Sequence, residues 1–382
     1  MQTVALGWLI YEMTGSASWL GTVSFAANAP TLFLGLVGGA IADRADRRLV
    51  LIATQAVAGT AALLLAVLTS RGALQIWHVI VIALGSGVAA SFYTPVAQAT
   101  IPSLVPDDAL LSAVSLNSVQ FNLARIAGPV VAGFAYATIG AAGCFVLNGV
   151  SFFMLALALA GLRLPTRITV VPGSIGRQLL EGLRYARSHD LIVTMLGFAA
   201  AISLFGFPYI ILMPAVARDV LGLGPDGLGL MMGSVGFGAV VGGLGLAAFG
   251  DVPRKALLGV GAGTVLAGLL VAFSFTDTLR AAAPILFLLG FVQVGCVASI
   301  NTTLQLTVTD AMRGRVMSML SFALFGLSTL GSVLLGVIGD RVGVAAALRL
   351  GGCVILALGV LLVARSPAIF EPVGKPARVE TA

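Results

Sequence analysis

Apolar stretches long enough to cross a lipid bilayer follow one another along almost the whole chain. They lie near residues 1–13, 18–42, 49–69, 74–98, 112–137, 140–162, 191–216, 227–249, 256–275, 282–306, 316–339 and 343–364. About 20 residues at a helical rise of 1.5 Å cross a hydrocarbon layer roughly 30 Å thick, so every stretch but the first can span as a helix. No soluble core calls for such runs in series. The expected fold is therefore all-α and integral to the membrane. Charged residues make up only 9% of the 382, against about 25% in soluble domains. The 48 glycines fit helices that must approach closely where lipid supplies no hydrophobic drive.

Several function classes are disfavoured. The net charge of +6 comes from basic residues in short runs between spans, with no aromatic-interleaved patch, so nucleic acid is not an expected partner. No G-x-x-x-x-G-K-[ST] phosphate loop is present, so ATP does not drive this chain. His78 and His189 stand alone near span edges, without a zinc motif. Cys144, Cys296 and Cys353 each sit inside an apolar span and read as small buried residues. No catalytic cluster, metal site or cofactor motif emerges, which weighs against a polytopic membrane enzyme.

Basic residues between the spans set the orientation. If the connection at 43–48 is cytoplasmic, that side carries fifteen lysines and arginines, among them Arg44, Arg47, Arg48, Arg163, Arg254, Arg313 and Arg365. The other side has four, Arg71, Arg218, Arg280 and Arg341, while Arg125 and Arg349 fall within spans. The carboxyl terminus is thus expected in the cytoplasm, with the chain in the cell (cytoplasmic or inner) membrane.

An internal repeat organises the spans. An offset of 203 pairs Gly128 with Gly331, Gly133 with Gly336 and Gly140 with Gly343; an offset of 208 pairs Gly21 with Gly229, Gly35 with Gly243 and Asp43 with Asp251. Six helices followed by six related ones in the same orientation mark a parallel two-lobed transporter. The expected domains are a lobe at 1–162, a cytoplasmic linker at 163–190, a second lobe at 191–364 and a tail at 365–382. In the linker, Ile175, Leu179, Leu183 and Ala186 recur at helical spacing opposite Arg177, Glu181, Arg184 and Arg187. That pattern fits an amphipathic helix on the inner leaflet or a solvated linker helix. On the 208 offset Met1 corresponds to Tyr209, leaving residues 191–208 without a counterpart. The first helix is accordingly expected to be truncated, and an inactive truncated product is one reading.

The strongest local pattern closes the second span: Gly39, Asp43, Arg44, Asp46, Arg47 and Arg48. The arginines set topology; the aspartates add nothing to that signal and point to a gate, where a carboxylate can face a helix amino end. In the span at 112–137, Ser115, Ser118, Asn122, Arg125 and Pro129 fall within about 80° of arc at 100° per residue. Arg125 lies about 20 Å along that helix, so it is expected to face the protein and find an oxygen partner.

The 39–48 pattern resembles the major facilitator superfamily motif G-x-x-x-D-R-x-G-R-[RK], with Asp46 where that family usually has Gly. Three further stretches resemble its exporter branch, which includes the enterobactin exporter and macrolide efflux proteins: Met1–Trp8, Asn122–Pro129 and Met312–Ser318. Gly128, Pro129 and Gly133 match part of the antiporter motif G-P-x-x-G-G. The resemblance implies gating or conformational roles for these residues and for Asn122 and Arg125. It also implies a central cavity lined by helices 1, 4, 7 and 10. Candidates to line it are Phe92, Tyr93 and Gln98 around Pro95, Phe205, Phe207 and Tyr209 around Pro208, and Gln293, Asn301 and Gln305 on one face. Aromatic rings and amides suit bulky, amphipathic or weakly charged molecules. The expected function is a secondary active transporter exporting such small molecules, of the drug or siderophore class, by alternating access. An importer or a lipid flippase on the same fold remains a rival. No acid lies deep in a span, so proton coupling through Glu12, through an acid outside the sequence, or by another ion all stay open.

Overall fold

The computed structural model describes residues 1–42, 46–100, 104–161, 183–249, 254–366 and 369–370, without the side chains of 35–42, 99, 107 and 249. Among the described residues the long elements are all helices: α1 Gln2–Thr14, α2 Ala17–Ala42, α3 Arg47–Ser70, α4 Ile76–Thr100 and α5 Leu110–Ala160. They continue as α6 Asp190–Val220, α7 Pro225–Phe249, α8 Lys255–Phe273, α9 Leu279–Thr307, α10 Asp310–Val342 and α11 Val344–Arg365. Nine of them, α3 to α11, are long and apolar enough to cross a membrane, among the described residues. The 51 residues of α5 are two spans joined at Gly140, whose φ of 71° and ψ of 179° interrupt the helix. Its counterpart in the repeat, Gly343, separates α10 from α11 with φ 90° and ψ 144°.

That backbone region is open essentially to glycine alone. Gly140→Ala and Gly343→Ala should therefore each cost about 1–3 kcal/mol. Gly15, with φ 61° and ψ 18°, is left-handed helical, a region that asparagine tolerates. Gly15→Asn should be nearly silent, and unfolding midpoints of the purified variants compare the three.

By packing, the chain divides into two compact units: Met1–Pro172 with Ile211–Gly233, and Gly173–Ile210 with Ser234–Ala382. In the first, α2 packs along α4, α3 along α5, and α1 against both α5 and α2. In the second, α8 packs on α9 and α11, and α10 on α11. The second unit has a continuous apolar core that includes Ile192, Met195, Phe198, Val260, Ile300, Leu304 and Ile355.

The repeat survives at the level of single contacts. In the first unit, a Cβ on Gly87 of α4 would fall under 3.0 Å from the carbonyl oxygen of Ala27 in α2. In the second, a Cβ on Gly290 of α9 would fall equally close to the carbonyl oxygen of Val235 in α7. Gly290 is Gly87 at the 203 offset, and Val235 is Ala27 at the 208 offset. Each pair brings two helix backbones together at a place where any side chain would hold them apart.

Of the linker, residues 183–187 are helical, with Ala186 in the core of the second unit and Arg184 and Arg187 exposed. Ile175, Arg177, Leu179 and Glu181 lie outside the described residues. Cys144 and Cys296 are buried as expected, but Cys353 is exposed.

Candidate functional site

The 39–48 motif is described only in part. Gly39 lies within α2, while Asp43 and Arg44 lie outside the described residues. Asp46, the departure from the family pattern, is the N-cap of α3: its carboxylate accepts from the backbone N–H of Arg48 at 2.9 Å and of Leu49 at 3.4 Å. The cap satisfies orphan donors at the helix start and places negative charge at its positive end. Arg47 and Arg48 open the same helix, and the Arg48 guanidinium donates to the carbonyl of Ala160, the last residue of α5. One turn of chain thus clamps the start of α3 to the end of α5. Asp46→Ala is expected to lower stability by about 0.5–2 kcal/mol, and Asp46→Gly by only a few tenths. Equal losses for both would remove the cap from this account.

Further into α5, Ser118 donates to the Val114 carbonyl at 2.9 Å and Asn122 to the Ser118 carbonyl at 2.8 Å. These polar groups spend their donors within the helix. Arg125 departs from expectation: it is exposed and makes no hydrogen bond or ion pair among the described residues. The oxygen partner inferred from its depth is not found among the described residues. Gly128 borders open space. Pro129 and Gly133 instead meet α7: a Cβ on Gly229 would fall under 3.0 Å from the Pro129 carbonyl oxygen, and one on Gly133 equally close to the Pro225 oxygen. Gly229 and Gly233, four apart on α7, give the small surface such a crossing needs.

The cavity candidates fall in two places. In the first unit, Phe92 and Tyr93 are half-buried and Gln98 is exposed, with Tyr93 against Leu51 and Val96. In the second, Phe205 and Phe207 rest on the apolar core. Phe205 lies in a stretch of wide helical turns, Ile202–Gly206, just before Pro208. The Leu204 carbonyl, which Pro208 cannot engage because it lacks an N–H, faces Gly331 of α10. Fully buried Tyr209 donates its hydroxyl to Gln293 of α9 at 3.1 Å. On the same helix, Gln305 donates to Asn301 at 2.5 Å. The second unit therefore presents a phenol and three neutral amides, coupled in pairs, with Cys296 and Ser299 buried on the other side of α9.

Sequence reasoning missed a polar cluster in the first unit. The Tyr11 hydroxyl donates to the Asp219 carboxylate, and Arg218 reaches the Tyr11 carbonyl at 3.3 Å with its guanidinium 5.9 Å from the ring centre. Tyr136 of α5 donates to Glu12 at 2.8 Å. The end of α1 is thereby tied to α5 and to the end of α6. A signal was available: Tyr11 and Asp219 are 208 residues apart, the offset of the repeat.

The sequence profile of the family described as transmembrane secretion effector matches residues 1–371. The chain belongs to that family. Among curated relatives, the multidrug efflux pump Tap of Mycobacterium tuberculosis is 26% identical, over 96% of this chain and 90% of its own. Macrolide efflux protein A of Streptococcus pyogenes is 23% identical over 94% and 90%. The staphyloferrin A transporter of Staphylococcus aureus is 27% identical over 89% and 86%. Among solved structures, a D323A mutant of the nucleoside transporter NupG aligns with TM-score 0.73 at 13% identity, covering 96% of this chain and 95% of that one. The inward-open xylose transporter XylE from E. coli aligns with TM-score 0.69 at 12% identity, covering 96% and 92%. The fold is that of the major facilitator superfamily, and the chain is a multi-pass membrane transporter.

Within the family, the first resembling stretch works by packing: Val4, Ala5 and Trp8 are buried, and Gln2 accepts from Asn148 of α5 at 2.5 Å. In the last stretch, Arg313 pairs with Asp310 at 2.5 Å at the start of α10.

Proposed function

We propose that this transporter exports small amphipathic molecules, of the drug or siderophore class, from the cytoplasm by alternating access. The observation that carries this reading is the family match along nearly the whole chain, together with relatives named as efflux pumps and as a siderophore transporter. The second unit supports it chemically: Gln293, Asn301 and Gln305 offer neutral amides, with Gln293 held by the hydroxyl of the buried Tyr209. Such groups orient a bulky ligand without demanding a fixed charge. A cytoplasmic carboxyl terminus belongs to this reading and is supported by the fifteen-to-four excess of basic residues on its side.

Everted vesicles from cells making the full chain test this directly. Fluorescent drugs and a ferric siderophore should accumulate inside them, and a protonophore should abolish accumulation if protons supply the driving force. Gln293→Ala should alter the ranking of substrates more than total protein in the membrane. Accumulation in intact cells instead would make the protein an importer and overturn the proposal.

A further inference from the structure

Arg349 lies inside a span, about 9 Å of helical rise from Gly343 at the start of α11, and no role described above uses it. Its Nε donates to the Ser274 hydroxyl at 3.2 Å and its Nη2 to the Ser274 carbonyl at 3.5 Å. The guanidinium carbon also sits 3.8 Å from the centre of the Phe275 ring. Ser274 is the residue that closes α8, so the side chain reaches from inside its own span towards the point where a neighbouring membrane helix ends. Two of its five donors are engaged. Among the described residues it has no carboxylate partner, which leaves a positive charge without a counter-ion.

Beside it runs an open recess of about 530 Å³, lined by Ala346, Arg349, Leu350, Cys353, Val354 and Ala357. These positions form one stripe of α11. From Arg349 to Ala357 the stripe runs about 12 Å, most of the roughly 15 Å half-thickness of a hydrocarbon core. Small side chains at Ala346, Cys353 and Ala357 leave a channel beside Leu350 and Val354, both outwardly exposed. A cation near one end of an open apolar recess has the shape and charge complementary to a single lipid.

We propose that α11 carries a binding site for one anionic phospholipid, with its phosphate on Arg349 and an acyl chain in the recess. Cation–ring contact with Phe275 and the two bonds to Ser274 fix the guanidinium, so the lipid need not order it. A zwitterionic headgroup brings its own cation and leaves the site charged; an anionic one neutralises it.

Native mass spectrometry tests the proposal on the full-length chain, released from micelles holding equal phosphatidylglycerol and phosphatidylcholine. Retained phosphatidylglycerol should exceed phosphatidylcholine about fivefold, the factor one basic residue contributes at an anionic lipid surface. Arg349→Gln should abolish the preference. Arg341→Gln, at an exposed position on α10, should keep it. Ala357→Phe fills the recess but leaves the guanidinium, and should reduce retention of both lipids. Inorganic phosphate at the lipid concentration should displace neither. A preference that persists in Arg349→Gln, or retention unchanged in Ala357→Phe, overturns the site. If Arg349→Gln proves too unstable to purify, Ala357→Phe decides alone.

Discussion

Gly290→Val should cost about 3 kcal/mol, the upper end of the usual overpacking range, and Gly87→Val should cost about as much. At each position the obstacle is a backbone carbonyl oxygen of a neighbouring helix, under 3.0 Å from where the Cβ would sit. Neither backbone can turn aside as a flexible side chain would, so the helices must separate and lose the packing on either side. Gly295, on the same helix as Gly290, borders open space. Gly295→Ala should therefore gain about 0.5–1 kcal/mol from the helix preference of alanine. Denaturant midpoints of the purified variants would show this ordering. An unchanged midpoint for Gly290→Val would mean that the close approach of α7 and α9 does not exist.

The second large effect concerns the bond between Tyr11 and Asp219. Tyr11 is buried, its hydroxyl aimed at a carboxylate, and Arg218 approaches from the same turn. A hydrogen bond to a charged group contributes about 1.5–3 kcal/mol. Tyr11→Phe and Asp219→Ala should each destabilise by about that much, and the double variant by little more than either. A double-mutant cycle measures the coupling; losses that add to within about 0.5 kcal/mol would show that the two side chains do not interact. Tyr136→Phe should cost less, because Tyr136 is only half-buried where Tyr11 is buried, both carboxylate partners being exposed.

Much of the fold was legible because hydrocarbon imposes one rule on every span. The expected stretch at 49–69 is Arg47–Ser70, and that at 343–364 is Val344–Arg365. The pairing of Gly140 with Gly343 extended to conformation, since only glycine adopts the backbone both positions need. Side-chain partners were harder to read. Asp46 looked like a missing glycine, yet it caps α3; a cap depends on where the helix starts to within one residue, which hydropathy does not resolve. Arg125 was assigned an oxygen partner from its depth, but depth alone does not say which atom lies within reach to accept from it. The Tyr11–Asp219 contact joins two helix ends far apart in sequence, and periodicity within either helix carries no trace of it.

The turns at Gly140 and Gly343 also govern how this protein can be handled. A single residue joins the helices on that side, leaving no loop for an antibody, a protease or an inserted tag. An epitope placed at either glycine would prise apart two helices rather than decorate a surface. The Arg71–Gln75 connection, with most of its residues exposed, is the better place for a reporter on the same face. A single cysteine at Ala73 would map sidedness without lengthening the chain, whereas Gly72, with φ 65°, is better left as glycine.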